Sequence, residues 1–327
     1  MLLAISPSTP GIPASDLVDL CVAAEDLGYR AAWVAEVAGP EAFSLLGAVA
    51  SRTKTLDLGV AVVPAMTRSP ALLAMAAGTV SQLLGGRDFS LGIGSSSQTI
   101  VEHWHGAPFV PPLARVRESV EATRALLGGE RGYDGSHVSV DRFRLASRPM
   151  GRVRVFVGAL GPRMLRLAGA VGDGVCLNLM PPGAVPRQLA EVRRGAEAAG
   201  RELPDHFRVM ARFHIVLTDD VESGRGLIRE GFGPYFAQPV YNRFLRWLGH
   251  ETEAAGISEA FAAGDRGAVA AAFTDAIVDG VSLVGGPAEV RSRLDEYAEA
   301  GVDIGALNVI GDLQTVRDGL GDLAPRR

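Results

Sequence analysis

Short apolar runs alternate with longer segments of helical period from one end of the chain to the other. Eight of the runs have the length and apolar character of buried strands. They are Leu2–Ile5, Ala31–Glu36, Leu56–Val63, Asp88–Ile93, Val153–Val157, Gly174–Asn178, Phe207–Leu217 and Ile304–Ile310. Strands that alternate with helices predict a parallel sheet, and eight such units close a barrel. Because no Gly-x-Gly-x-x-Gly fingerprint follows the first strand, the sequence favours a (β/α)8 TIM barrel over an open doubly wound sheet.

Two segments interrupt the alternation. Gly128–Met150 is polar and rich in glycine, and its VSVDRFRL stretch predicts a small hairpin insertion after helix 4. Residues 218–279 are too long a segment for a single strand-to-helix link, and we predict that they form a helical insertion between strand 7 and helix 7. Aromatic residues are concentrated there, although the chain is only 6% aromatic. A barrel loop of that length is normally functional, and the alternative is an insertion that packs on itself. We expect residues 1–327 to form one barrel domain.

Composition and charge exclude several classes of function. The net charge of -5 and the lack of a Lys/Arg block argue against a nucleic-acid partner. No apolar run of membrane-spanning length and no signal peptide are seen, so we expect no membrane partner. Cys21 and Cys176 lie far apart and are interpreted as buried apolar residues rather than a disulfide or a metal site. These features predict a cytoplasmic protein that acts on a small molecule.

A glycine-rich turn after the fifth predicted strand suits an anion. It reads Gly158-Ala159-Leu160-Gly161, and Pro162 then opens a helix. Proline is tolerated in the first turn of a helix, where the N–H groups have no helical partners. Those free N–H groups and the helix dipole attract anions, and the two glycines could leave room for a phosphate. The alternative is a plain tight turn.

A second glycine-rich turn follows the fourth predicted strand. Gly94 would allow a close approach, and Ser95, Ser96 and Ser97 offer hydroxyl groups and amides. The irregular segment beyond it places His103 and His105 on either side of Trp104. No other ligands stand at metal spacing, so we expect no metal here. An indole in a loop, with an imidazole on either side, is better suited to contact the planar ring of a ligand.

Three motifs together resemble one family. They are TRSP at Thr67, GGRDFSLGIG at Gly85 and GALGPRML at Gly158, and the match extends to VSLVGGPAEV at Val281. In this combination the chain resembles the bacterial luciferase-like superfamily over almost its whole length. The closest resemblance is to the branch that uses coenzyme F420, typified by methylenetetrahydromethanopterin reductase.

This resemblance implies a (β/α)8 barrel with an insertion after strand seven, a homodimer, and a deazaflavin at the carboxyl ends of the strands. It also implies a cis peptide bond between Ala61 and Val62 beneath the coenzyme ring. The phosphate of the coenzyme would bind at Gly158, Ala159, Leu160 and Gly161. Ser95, Ser96 and Ser97 would lie along the ring edge or the ribityl chain.

The acid/base pair that deazaflavin-dependent dehydrogenases of this superfamily often carry is absent. The Asp-His position after the second strand holds Glu36 and Val37, and the glutamate position after the fourth falls at Ser97. A carboxylate at the end of a barrel strand is typical of catalysis, and a structural salt bridge is the competing interpretation for Glu36. We predict that Glu36, Trp104, His105 and His103 line the redox face of the ring.

The sequence therefore predicts an F420-dependent oxidoreductase that transfers a hydride between the deazaflavin carbon C5 and a small organic substrate. The alternative is an FMN-dependent luciferase-like monooxygenase. A third possibility is a non-catalytic barrel that has lost its coenzyme.

Overall fold

A computed structural model describes residues 1–9 and 11–326 and contains a closed ring of eight parallel strands. The eight barrel strands are β1 (Leu2–Ile5), β2 (Ala31–Val34), β3 (Asp57–Pro64), β4 (Phe89–Gly94), β7 (Val153–Gly158), β8 (Gly174–Asn178), β9 (Arg208–Leu217) and β11 (Ile304–Val309). The ring closes because β9 pairs with both β8 and β11. The predicted (β/α)8 barrel is thus confirmed. The predicted strand end at Glu36 is wrong, since β2 stops at Val34 and Glu36 lies in the loop that follows.

Helices surround the barrel strands on the outside. Those that connect or follow barrel strands are α1 (Ala14–Asp26), α2 (Ala42–Arg52), α3 (Pro70–Leu83), α4 (Pro112–Leu127), α5 (Pro162–Val171), α6 (Val185–Ala198), α12 (Pro287–Glu299) and α13 (Leu313–Asp322). A short 3-10 helix, Pro182–Ala184, precedes α6. Across residues 1–9 and 11–326, none of the helices combines the length and the apolar character needed to span a bilayer.

Both predicted insertions are present. The larger one follows β9 and contains α7 (Val221–Ala237), α8 (Pro239–Leu248), α9 (Glu251–Ala262), α10 (Arg266–Ala272) and α11 (Asp275–Val281). It ends in β10 (Leu283–Gly285), a short strand that sequence patterning did not predict and that extends the β9 edge. The smaller one is a short antiparallel hairpin whose two strands, β5 (Tyr133–Asp134) and β6 (Ser139–Val140), have two residues each. The VSVDRFRL strand is therefore shorter than expected, because Arg142 adopts a positive φ of 51° that interrupts it.

Large side chains fill the barrel interior below its carboxyl end. Trp33 and Phe156 meet edge to face at 5.2 Å between ring centroids. A Cβ atom at Gly59 would lie 2.5 Å from the Trp33 ring, so this glycine makes room for the indole. At the amino end of the barrel, Arg154 pairs with Asp88 at 2.6 Å. The lower barrel is thus a packed core, and the active sites of such barrels lie at the carboxyl ends of the strands.

Both cysteines are free and buried, as the sequence predicts. Burial raises the pKa of the Cys21 thiol to about 12, and it raises the pKa of Cys176 as well. Both thiols are therefore protonated at neutral pH and chemically inert.

Candidate functional site

Strand β3 is irregular where it reaches the carboxyl end of the barrel. The peptide bond between Ala61 and Val62 is cis, as the family resemblance implies. The pairing of β3 with β4 shifts register between Val60 and Val63. Ala61 and Val62 are half-buried and pack with the interior residues of the barrel. The two residues form a bulge at the barrel mouth.

The side chain of Val62 occupies the space in front of two glycines. A Cβ atom at Gly94 would come within 2.5 Å of it, and one at Gly158 within 2.9 Å. Val62 of the neighbouring β3 bulge therefore fills the space where a side chain at either glycine would lie, and a close approach of a ligand to Gly94 and Gly158 stays a prediction. Gly161 differs: nothing lies within 4 Å of a Cβ built there. It is the glycine of the turn that borders open space.

The Gly158–Pro162 turn leads directly into α5. Gly161 is the N-cap residue and Pro162 the first helical residue, as predicted. The amide of Ala159 is not free, because it donates to the Cys176 carbonyl at 3.0 Å. Within the described chain, the amides of Leu160, Gly161 and Arg163 have no acceptor. Together with the helix dipole, these three N–H groups can bind an anion.

The serine turn after β4 has a special backbone geometry. Ser96 adopts a φ of 57°, in the left-handed region that costs a non-glycine residue about 1–2 kcal/mol. The Ser97 hydroxyl accepts from the Ile100 amide at 3.3 Å, and the Ser95 hydroxyl donates to the Ser96 carbonyl. All three serines are half-buried. Their local hydrogen bonds hold the turn at the barrel rim.

The segment beyond the serine turn is a π-helix, Thr99–Trp104, where the sequence predicts an irregular loop. The side chains of His103, Trp104 and His105 are exposed, and Trp104 is 54% accessible. Thr99 Oγ1 donates to Gln238 Oε1 at 3.4 Å, which links this helix to the junction of α7 and α8. The three residues predicted to line the ring therefore follow β4 at the carboxyl end of the barrel, and their side chains are exposed to solvent.

Both carboxylate oxygens of Glu36 are occupied. Oε2 accepts from Arg68 Nη2 at 2.7 Å and from the Ala42 amide at 3.0 Å, and Oε1 accepts from Arg68 Nε at 3.3 Å. Arg68 also pairs with Glu41 and covers the Phe43 ring at 5.0 Å. The competing interpretation of Glu36, a salt bridge that ties the loops after β2 and β3 together, agrees with this geometry.

Sequence reasoning missed two interior side chains of β9, Arg212 and His214. His214 Nδ1 accepts from Asn308 Nδ2 at 3.2 Å, and His214 Nε2 donates to Asn178 Oδ1 at 3.1 Å. Burial and, to a smaller extent, the charge of Arg212 lower the pKa of His214 well below 6.5. His214 is therefore neutral at neutral pH. The buried Asn308 Oδ1 finds no partner among the described residues.

The helical insertion covers this polar interior with aromatic rings. Phe232 of α7 packs on His214 at 4.5 Å between ring centroids. Tyr235 and Tyr241 meet at 5.3 Å, and both lie close enough to Arg212 to act on its charge. The prediction that the long loop after strand seven contributes to the catalytic face therefore agrees with the structure. The insertion also packs on itself, as Phe236 and Phe273 show at 5.1 Å.

A signal for the two missed residues exists in the sequence. In the stretch VMARFHIVL, Arg212 and His214 are two positions apart, and alternate residues of a strand point to the same side. Two polar residues within an apolar strand could have been assigned to the barrel interior on that ground.

In the part of the chain that the structure describes, no three His, Cys, Asp or Glu side chains come together as metal ligands.

Several known proteins are similar to this chain in sequence. The sequence model of the family described as luciferase-like monooxygenase matches residues 3–304. The 5,10-methylenetetrahydromethanopterin reductase of Archaeoglobus fulgidus is 32% identical over 288 residues, which are 85% of each chain. A putative coenzyme F420-dependent oxidoreductase of Mycobacterium tuberculosis is 28% identical over 331 residues, with 94% of each chain covered.

The same fold is found in solved structures. The coenzyme F420-dependent tetrahydromethanopterin reductase of Methanopyrus kandleri superposes with a TM-score of 0.81 at 23% identity, and the match covers 98% of this chain and 96% of that one. The family model spans nearly the whole barrel, and the cis bond between Ala61 and Val62 that the resemblance implies is present. The chain belongs to the luciferase-like monooxygenase family.

Proposed function

We propose that this protein is a coenzyme F420-dependent oxidoreductase that transfers a hydride between the deazaflavin and a small organic substrate. The relatives named for coenzyme F420 support the choice of coenzyme. The main observation behind the proposal is that three features lie together at one end of the barrel. The Val62 bulge, the open amides before α5 and the aromatic cover of the insertion all lie at the carboxyl ends of the strands.

The residues at the mouth fit such a coenzyme. The amides of Leu160, Gly161 and Arg163 would hold its phosphate, and the open space at Gly161 would admit it. Gly158 and Ala159 would shape the turn, because the first accommodates Val62 and the second is bound to β8. Ala61 and Val62 would support the ring.

Further residues would border the ring and its polar edge. Ser95, Ser96 and Ser97 follow Gly94 at the rim and offer hydroxyl groups to the ring edge or the ribityl chain. When bound, the coenzyme supplies a ring carbon, C5, that accepts or donates a hydride. The roles of the chain are to bind, to orient and to exclude water, and the rings of Phe232, Tyr235 and Tyr241 serve the last of these.

We also propose which side chains handle protons and which position other groups. The imidazole of His214 is held on both nitrogens by asparagine amides and stays neutral, so it would offer a fixed polar group rather than a base inside the covered site. Trp104 and His105, with His103 beside them, would cover the open side of the ring from the π-helix. We assign Glu36 to positioning, because Arg68 and the Ala42 amide occupy its oxygens. His105→Ala should slow turnover by about 10²-fold if His105 handles a proton.

A second candidate is an FMN-dependent monooxygenase, which the description of the matching family favours. The two candidates differ in chemistry, because a deazaflavin has carbon at the position where flavin N5 supports the reaction with oxygen. Titration of the purified protein with coenzyme F420 and with FMN, followed by ring absorbance and fluorescence, separates them. Tight binding of F420 alone supports the proposal, and tight binding of FMN alone contradicts it.

The position of the coenzyme phosphate can be tested in the same assay. Gly161→Asp places a carboxylate among the α5 amides and should abolish coenzyme binding by charge repulsion. Gly161→Ala, which enters open space, is the matched control and should bind within a few-fold of the parent. Equal affinity in the Asp variant would contradict this position.

We further propose a cytoplasmic homodimer. Three apolar side chains of α3, Leu72, Met75 and Leu83, are between 45% and 49% exposed. An exposed apolar stripe on one helix is typical of an interface between subunits. Analytical ultracentrifugation of the parent and of a Met75→Glu variant tests this, and a monomeric parent would contradict it.

A further inference from the structure

Among the described residues, Arg154 and Arg212 lie at interior positions of their strands, and of these two only Arg154 has a counter-ion. Arg154, at the amino end, pairs with Asp88 at 2.6 Å. Arg212, at the mouth, makes a single hydrogen bond, from Nε to Ser6 Oγ at 3.0 Å. Among the residues that the structure describes, no carboxylate pairs with Arg212, and its two Nη groups have no acceptor.

The strand register explains how Arg212 reaches across the mouth. Ala306 of β11 lies directly beside Arg212 in the sheet, and β1 with Ser6 lies one strand further. Because Ala306 offers only a methyl group, the guanidinium passes over it to Ser6. The hydroxyl fixes the Nε edge, so the Nη edge remains free for a ligand.

The groups that face Arg212 are uncharged. Tyr235 and Tyr241 approach from the insertion, and His214, two residues along the strand, is neutral. Burial lowers the pKa of the Arg212 guanidinium to about 10, which still leaves it charged at neutral pH. A charged group in such surroundings costs free energy unless an anion joins it.

We propose that Arg212 binds a carboxylate of the substrate, and that the substrate is a small carboxylic acid with a flat apolar body. A guanidinium presents parallel N–H donors that match a carboxylate in a bidentate pair. The rings of Phe232, Tyr235 and Tyr241 suit the apolar body. This inference names the substrate class of the proposed oxidoreductase and rests on that function only for the reaction, not for the binding.

The test compares benzoate with benzamide, which has nearly the same shape but no charge. Calorimetric titrations of both probes are made with the coenzyme-free protein and with the protein loaded with F420. The parent should bind benzoate about 10- to 100-fold more tightly than benzamide, as expected for hydrogen bonds to a charged group. Arg212→Met should remove this preference by weakening benzoate alone.

Two further variants control the result. Arg208→Met removes an exposed arginine at the amino end of the same strand, whose Nη1 bonds only to backbone carbonyls. It should keep the preference of the parent. Arg212→Lys keeps the charge but loses the paired donors, and it should retain a reduced preference. If Arg212→Met does not fold, as judged by thermal unfolding, the test is the comparison of Arg212→Lys with the parent, in which the preference for benzoate over benzamide should be smaller.

The anion could instead belong to the coenzyme, and the same variants distinguish the two sources. A parent without preference for benzoate, or an Arg212→Met protein that keeps it, would overturn the inference. Loss of F420 affinity in Arg212→Met with unchanged benzoate binding would overturn it too. A benzoate preference that depends on Arg212 in a protein that does not bind F420 would support the inference and contradict the proposed function.

Discussion

The side chain of Val62 lies so close to Gly94 that a Cβ atom at Gly94 would be 2.5 Å from Val62 Cγ2. The bulge of β3 and the end of β4 are therefore packed against each other at the barrel mouth. Gly94→Ala would push Val62 out of place, and overpacking of this kind costs about 1–3 kcal/mol. We expect a fall of that size in the free energy of unfolding, measured with urea, and weaker binding of F420.

Gly161→Ala is the control for this prediction, because its new methyl group meets nothing within 4 Å. Its stability should stay within about 0.5 kcal/mol of the parent. Equal stabilities of the two alanine variants would show that Val62 can move aside without cost.

Glu36→Gln should lower the free energy of unfolding by about 1–3 kcal/mol, because it breaks a charged pair whose side chains are only 16% and 15% exposed. Asp19→Asn breaks an exposed pair with Arg52 and should cost less than about 1 kcal/mol. Urea unfolding of both variants measures the difference. Unchanged stability together with a hundredfold slower turnover would identify Glu36 as a proton-handling group instead.

Coenzyme binding should change the fluorescence of Trp104, since this indole is 54% exposed at the rim and would be covered. We expect quenching of tryptophan emission when F420 is added. Trp104→Phe should remove most of that change, whereas Trp247→Phe, whose ring stacks under Arg187, should retain it. Full quenching in Trp104→Phe would place the π-helix away from the coenzyme.

The stability of the protein should decrease in mild acid because of His214. Its pKa is lowered in the folded state, so below pH 6.5 the unfolded chain binds a proton that the folded chain does not. The free energy of unfolding that the neutral His214 contributes is fully present above pH 6.5. It is lost as the pH falls towards the pKa of His214 in the folded protein, at up to about 1.4 kcal/mol per pH unit.

Urea unfolding at pH 7.5 and pH 5.5 measures this loss. His214→Gln should reduce the difference between the two pH values by about 1 kcal/mol. A parental pH dependence in His214→Gln would contradict the buried neutral imidazole.

The barrel could be predicted because each strand and each helix carries its own periodic pattern. The runs from Leu2 to Ile5 and from Gly174 to Asn178 were predicted with the bounds that the structure has. The N-terminus of α5 was predicted as well, since Gly161 and Pro162 act through local backbone geometry. These features depend on residues that are neighbours along the chain.

The function of individual side chains depended on partners that are distant along the chain. The space at Gly94 and Gly158 is filled by Val62, the carboxylate of Glu36 is bound by Arg68, and the imidazole of His214 lies between asparagines of two other strands. Parallel strands and their loops come together only when the barrel closes. A sequence pattern shows which side of a strand a residue occupies, but the packing between strands decides what that residue meets.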